Sequence, residues 1–160
     1  ISTAFSALTN MPAKNDEEFD FVSVIKRTLD IFNSDEIHFT HSHDEIISVF
    51  DKDQLGRVVT NLVKNALQAT ENEPFPSIEV SLNKSDTDIT LKVKDNGKGI
   101  PDADKEKIFE PKFTTKTSGS GLGLAMVKNI VLSYGGSIHF TSEVGKGSEF
   151  TVILVHFLNK

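Results

Sequence analysis

Between Asp53 and Leu67, the apolar residues Leu55, Val58, Val59, Leu62, Val63, Ala66 and Leu67 recur at three- and four-residue steps and so line one side of an α-helix. A helix with a single apolar face needs a surface to bury it. The chain supplies one directly afterwards: Ile78-Glu79-Val80-Ser81-Leu82 and Ile89-Thr90-Leu91-Lys92-Val93-Lys94 alternate apolar and polar residues, the period of strands with one buried face. They read as a hairpin in the middle of a sheet. A second amphipathic helix is expected over 20–34, from Phe21, Val24, Ile25, Leu29 and Phe32, with Asp20 as its cap. Short strands are expected at 37–40 and 45–50. A short helix near 102–109, an irregular stretch over 110–120, a helix over 121–133 and strands at 137–142 and 149–156 complete the pattern. Helices between mostly antiparallel strands predict an α/β fold, a two-layer sandwich with the helices on one face of the sheet.

A chain of 160 residues that is 38% hydrophobic and 25% charged suits one domain with a core of its own. It contains no Cys, which excludes disulfides, thiolate metal sites and a cysteine nucleophile, and makes the cytoplasm the default location. A net charge of −6 disfavours nucleic-acid tracking and polybasic membrane binding, so an anionic ligand must be held locally. No apolar run approaches the ~20 residues of a bilayer span. The acidic run after Pro12 makes residues 1–19 a helix end plus connector, leaving 20–160 as the domain.

Nine of the ten glycines lie between Gly97 and Gly147. Gly119-Ser120-Gly121-Leu122-Gly123-Leu124 runs into a helix, where bare Cα atoms and the helix N-terminus together favour a phosphate. A turn into a helix has the same composition, and neither a Walker lysine nor a βαβ unit accompanies this one. Asn61 and Asn65 are four residues apart and share one helical edge, as marginal polar residues or as amide oxygens for a cation or water. Asp95 closes a strand and precedes Asn96-Gly97-Lys98-Gly99-Ile100, whose glycines leave room beside its carboxylate for a flat ligand, or simply make an Asx-type turn.

The order Asn61-x-x-x-Asn65, Asp95-x-Gly97-x-Gly99, Phe109 with Lys112 to Lys116, then Gly119-x-Gly121-Leu122-Gly123-Leu124 resembles the N, G1, F and G2 boxes of the catalytic, ATP-binding domain of sensor histidine kinases. The resemblance spans about residues 50–155. It implies the Bergerat fold, with ATP held between the helical layer and a flexible lid. Carried over residue by residue, it implies Asn65 as the Mg²⁺ ligand, Asp95 at the adenine, Gly97, Gly99 and Ile100 at the cofactor, and Asn61 arranging the metal shell or phosphates. It also implies Phe109, Thr114, Thr115 and Lys116 in the lid region, Gly119 to Leu124 at the phosphates, and Ser148 supporting adenine through water. Segment 110–120 is expected to order when nucleotide binds.

Two departures qualify the match. Gln68 stands where many of these kinases carry a basic residue, as in the nitrogen-regulation type, so Lys116 is the expected basic contact to phosphate. The phosphoacceptor pattern His-Glu/Asp-x-x-x-Pro is missing: His43-Asp44-Glu45 starts it without the Pro, and His38, His41, His139 and His156 sit in strand patterns, where structural roles are expected. The chain therefore reads as a fragment, with residues 1–10 the tail of a dimerisation helix. The partners implied are that dimerisation and phosphoacceptor domain and a response regulator, with no nucleic acid or membrane contact. A parent protein anchored in a membrane is compatible with this reading. An ATPase clamp of the gyrase, chaperone or mismatch-repair type usually carries Glu where Asn61 stands, as do serine-kinase anti-sigma factors. A regulatory nucleotide-binding module is the third reading.

Overall fold

The structure, a computed structural model, describes residues 14–111 and 123–156. In chain order the elements are β1 (Asp16–Asp20), α1 (Phe21–Asp30), β2 (Ile37–His41), β3 (Ile47–Asp51), α2 (Lys52–Ala69), β4 (Ile78–Lys84), β5 (Asp88–Asp95), a 3₁₀ turn (Asp102–Asp104), α3 (Gly123–Ser133), β6 (Ser137–Glu143) and β7 (Gly147–Val155). The helix expected over 102–109 contracts to that 3₁₀ turn. Its Asp102, Asp104 and Glu106 leave too few apolar positions for a helical face, and only Ile108 is buried.

Five strands form one sheet in the order β2-β4-β5-β7-β6, antiparallel except between β2 and β4. The β4–β5 hairpin lies inside this sheet, as the alternation predicts. Its inward residues Ile78, Val80, Leu82, Ile89, Leu91 and Val93 meet the apolar side of α2, where Leu55, Val58, Val59, Leu62 and Val63 are all at most 1% exposed. α1, α2 and α3 cover this one face.

The amino-terminal segment departs from the connector expected of it. β1 pairs antiparallel with β3 in a separate two-stranded sheet, from Asp16 opposite Asp51 to Asp20 opposite Ile47. Backbone pairing holds it, since Phe19 is its only buried side chain. Aspartates close both ends of β3's neighbourhood. Asp20 Oδ1 accepts from Val22 N at 3.0 Å and Ile46 N at 2.9 Å, capping α1 and fixing the approach to β3. Asp51 caps α2 by accepting from Asp53 N and Gln54 N, while its other oxygen accepts from Asn15 N at 2.7 Å.

Tyr134, the only tyrosine, joins this small sheet to the end of α3. Its ring centre lies 4.0 Å from that of Phe50, its hydroxyl donates to Asp16, and Lys14 Nζ sits 4.1 Å from its ring centre while donating to the Ser133 carbonyl. Burial, then the hydrogen bond to Asp16, then the charges of Asp16 and Asp51 hold the phenol well above its ordinary value. A group raised on folding stabilises the fold fully below its unfolded value, about 10, and loses that contribution as pH rises through the folded one. Denaturation midpoints of the parent should therefore fall from about pH 10 upward, and Tyr134→Phe should flatten that fall. Ultraviolet titration reads this single phenol directly; an ordinary midpoint there would remove the linkage.

Candidate functional site

α2 carries the site from end to end. Leu62, Val63 and Ala66 bind it to the sheet, which leaves Asn61 and Asn65 half-buried along its edge, one turn apart. Asn61 Nδ2 donates to the Arg57 carbonyl at 2.7 Å. The amide is thereby turned so that Oδ1 faces α3, and a Cβ built on Gly123 would stand 3.0 Å from that oxygen. Gly123 opens α3, so the end of the glycine run and the first Asn are brought together. Leu124, next along, packs partly buried against the core. Beside Asn61, Arg57, Lys64 and Arg27 line a cleft of about 600 Å³ between α1 and α2. Among the described residues these three cations form no ion pair.

At the C-terminal end of α2 the chain makes a tight backbone junction. Lys98 N donates to the Ala69 carbonyl at 3.0 Å, and a Cβ on Gly97 would fall 2.3 Å from that same oxygen. Gly99, at φ +75°, faces the Glu143 carbonyl, where a Cβ would approach to 2.3 Å. These glycines are needed to let backbone meet backbone, a constraint independent of any ligand. Asn96 braces the turn from outside, accepting from Ser77 N and donating to the Phe75 carbonyl, each at 2.8 Å.

Asp95 sits at this junction at 4% exposure, and its Oδ1 accepts from Gly97 N at 2.9 Å. The register explains why a carboxylate can be so buried. Inward rows of the sheet are apolar until the last one: Val93, Phe150 and Phe140 align across β5, β7 and β6, and the next row is Asp95, Ser148, Ser142. The core face thus ends in a polar edge. Ser142 had no signal of its own in the sequence. Its place on the face of Ile138 and Phe140, and opposite Ser148, emerges only once the β6–β7 hairpin is registered.

Ile100, next to the junction, donates its N–H to Ser142 Oγ at 2.8 Å and packs partly buried against the core. Phe109 is wedged edge-on against Phe140 and Phe150, with Lys128 Nζ 5.2 Å from its ring, so it anchors the segment that leaves the sheet. Lys112, Phe113, Thr114, Thr115, Lys116, Gly119, Gly121 and Leu122 lie outside the described residues. His38 and His139 are exposed, while His41 bonds the His43 carbonyl and His156 the Ile47 carbonyl. No described helix is long and apolar enough to cross a membrane.

Together these elements form a two-layer sandwich with a carboxylate at its polar edge, and a helix running from there to an amide beside a second helix's N-terminus. Residues 50–157 match the family described as histidine kinase-, DNA gyrase B-, and HSP90-like ATPase. The chain belongs to this family, and its relatives make it an ATPase catalytic domain of the histidine kinase type. The sensor histidine kinase ZraS of Escherichia coli K12 is 45% identical over 104 residues, 65% of this chain and 22% of that protein. Sporulation kinase D of Bacillus subtilis 168 is 43% identical over 103 residues, 64% of this chain and 20% of that protein. The chain thus spans about a fifth of the length of these curated relatives. Among solved structures, the catalytic domain of histidine kinase ThkA, nucleotide-free, superposes with TM-score 0.79 at 29% identity, covering 89% of this chain and 97% of that one.

Proposed function

We propose that this domain binds MgATP along α2, adenine at Asp95 and phosphates at Asn61 and the start of α3, and presents the γ-phosphoryl group to a histidine on a separate phosphoacceptor domain. The observation that carries the proposal is the reach of α2. From Asn61, at mid-helix, to Ala69 it rises about 12 Å, the scale of an extended nucleoside triphosphate, and the two ends of this stretch touch the two motifs suited to the two ends of that ligand.

The donor set fits the ligands. Asn61 and Asn65 offer amide oxygens, and hard Mg²⁺, which keeps several waters and takes phosphate oxygens, accepts such ligands. Asn61 presents an oxygen toward Gly123, and Asn65 is proposed as the metal ligand one turn further on. When bound, the metal supplies charge neutralisation across the phosphates. An amide is not a proton acceptor, so Asn61 cannot activate water as a clamp ATPase's Glu does. Transfer to an imidazole, which brings its own lone pair, needs no base from this chain: the imidazole nitrogen forms a bond to the γ-phosphorus, the bond to the β,γ-bridging oxygen breaks, and ADP leaves with that electron pair.

Mixing this domain, γ-labelled ATP and a separately prepared dimeric domain carrying the histidine tests the proposal. Acid-labile label should appear on that histidine only when both are present. Release of label as inorganic phosphate without transfer would favour the clamp reading instead. Asn65→Ala should remove most of the Mg²⁺-dependent part of ATP affinity and spare the part that survives chelation; a full magnesium dependence in the variant would exclude Asn65 as the ligand.

A further inference from the structure

We infer that the cleft between α1 and α2 is the docking groove for the histidine-bearing domain, which enters it through an acidic, helical face; this rests on the phosphoryl-transfer reading above. The cleft holds about 600 Å³, with Arg27 and Ile31 on its α1 side and Gly56, Arg57 and Lys64 on its α2 side. Arg57 and Lys64 are seven residues apart and so share one line of α2. Arg27 stands in the last turn of α1. All three cations are exposed, and among the described residues none forms an ion pair. Lys52, at the same cleft, is already held by Glu17 at 3.6 Å, and Asp53 is the one acidic residue among the described ones that line it. In a chain of net charge −6, this gathering of uncompensated positive charge gives one cleft a field opposite to that of the whole, and such a field draws an acidic surface.

The cleft is shaped as well as charged. Glycine weakens a helix interior, and nothing lies within 4 Å of a Cβ built on Gly56, so its bare backbone leaves the cleft open where any other residue would narrow it. Ile31, the C-cap of α1, is 82% exposed. An exposed apolar side chain, an open helix backbone and basic flanks complement a helix that carries an apolar residue between carboxylates.

Position selects the occupant. Asn61 lines the cleft, while its Oδ1 faces Gly123 on the α3 side. A domain seated in the cleft therefore stands beside the phosphate end of the proposed site, where an attacking imidazole has to stand, and leaves the α3 side to the nucleotide. Exposed charge pairs are individually weak and act on the rate and register of encounter more than on residence. That suits a partner that has to leave after each transfer.

The test follows label from γ-labelled ATP to the separately prepared histidine-bearing domain as the concentration of that domain is varied, with calorimetric titration of ATP and a thermal melt for each protein. Arg27→Glu/Lys64→Glu should raise KM for the histidine-bearing domain about tenfold, keep kcat and ATP affinity near the parent's, and flatten the rise of KM with salt. Gly56→Leu fills the cleft without changing its charge. It should raise KM as well, yet melt no lower than the parent, because leucine is a good helix former and its Cβ meets open space. Lys26 is exposed next to Arg27 and does not line the cleft, so Lys26→Glu should match the parent where Arg27→Glu does not. A parent-like KM in the charge-reversed protein overturns the groove. A loss of ATP affinity as large as the loss of transfer overturns it too, because the cations would then be holding phosphate. A parent that binds ATP and passes label to no histidine overturns the transfer reading and this inference with it.

Discussion

Asp95→Ala should weaken ATP binding by roughly 5- to 150-fold, the cost of removing a paired, buried acceptor worth about 1–3 kcal/mol, while the domain stays folded. Alanine does two things at once here, because Asp95 also accepts from Gly97 N at 2.9 Å and so helps to hold the turn. Asp95→Asn separates them. Its amide oxygen can keep the bond to Gly97, but its nitrogen offers a donor where the adenine amino group needs an acceptor. The asparagine variant should therefore melt like the parent and lose ATP affinity to nearly the same extent as alanine. Calorimetry on both variants decides the matter: parent-like affinity in a folded Asp95→Asn protein would take adenine away from this carboxylate.

Gly147→Ala should be the most destabilising of the glycine substitutions. The residue holds φ at +124°, and a Cβ there would stand 2.0 Å from the Asp95 carbonyl oxygen, which is backbone and cannot swing aside. The strained conformation costs about 1–3 kcal/mol and the displacement of packed backbone a similar amount. At about 2–4 °C per kcal/mol for a domain of this size, the melting temperature should drop by roughly 4–24 °C. Two other glycines divide the effect into its parts. Gly145 has φ +82° with nothing within 4 Å of a built Cβ, so its alanine variant shows the conformational cost alone. Gly56, within α2 and equally unobstructed, should gain up to about 1 kcal/mol as alanine. Equal melting temperatures for the Gly147 and Gly145 variants would remove the steric argument.

Much of this was legible in the sequence, for identifiable reasons. The stripe from Leu55 to Leu67 and the alternation in β4 and β5 were readable because burial imposes a period, and Asp20 marks a helix start by its chemistry. β1 was hidden. Asp16, Glu17 and Glu18 are all exposed, and a strand held by backbone pairing to β3 leaves no alternation to read. Asn61, Asn65 and Asp95 could be picked out by type and spacing, but the closeness of Asn61 to Gly123 is a property of helix packing, and the Asp95–Ser148–Ser142 row is a property of register. The roles of Gly97 and Gly99 shifted for the same reason. Room beside a carboxylate can be imagined from sequence; the Ala69 and Glu143 carbonyls that require that room cannot.

The junction at Gly97 and Gly99 also bears on how the domain acquires its ligand during synthesis. It joins the last residue of α2, the end of β5 and the β6–β7 turn, segments separated by dozens of positions in the chain. A nascent chain released only as far as β5 would already contain both asparagines and the aspartate, yet Ser148 and Ser142 would still be missing and Ile100 N–H would have no partner. The adenine pocket proposed above would therefore come into being with the final hairpin, as a non-local closure that follows the local helices. On that proposal nucleotide would add stability only to chains that have reached that point, so the ligand would select completed molecules from unfinished ones.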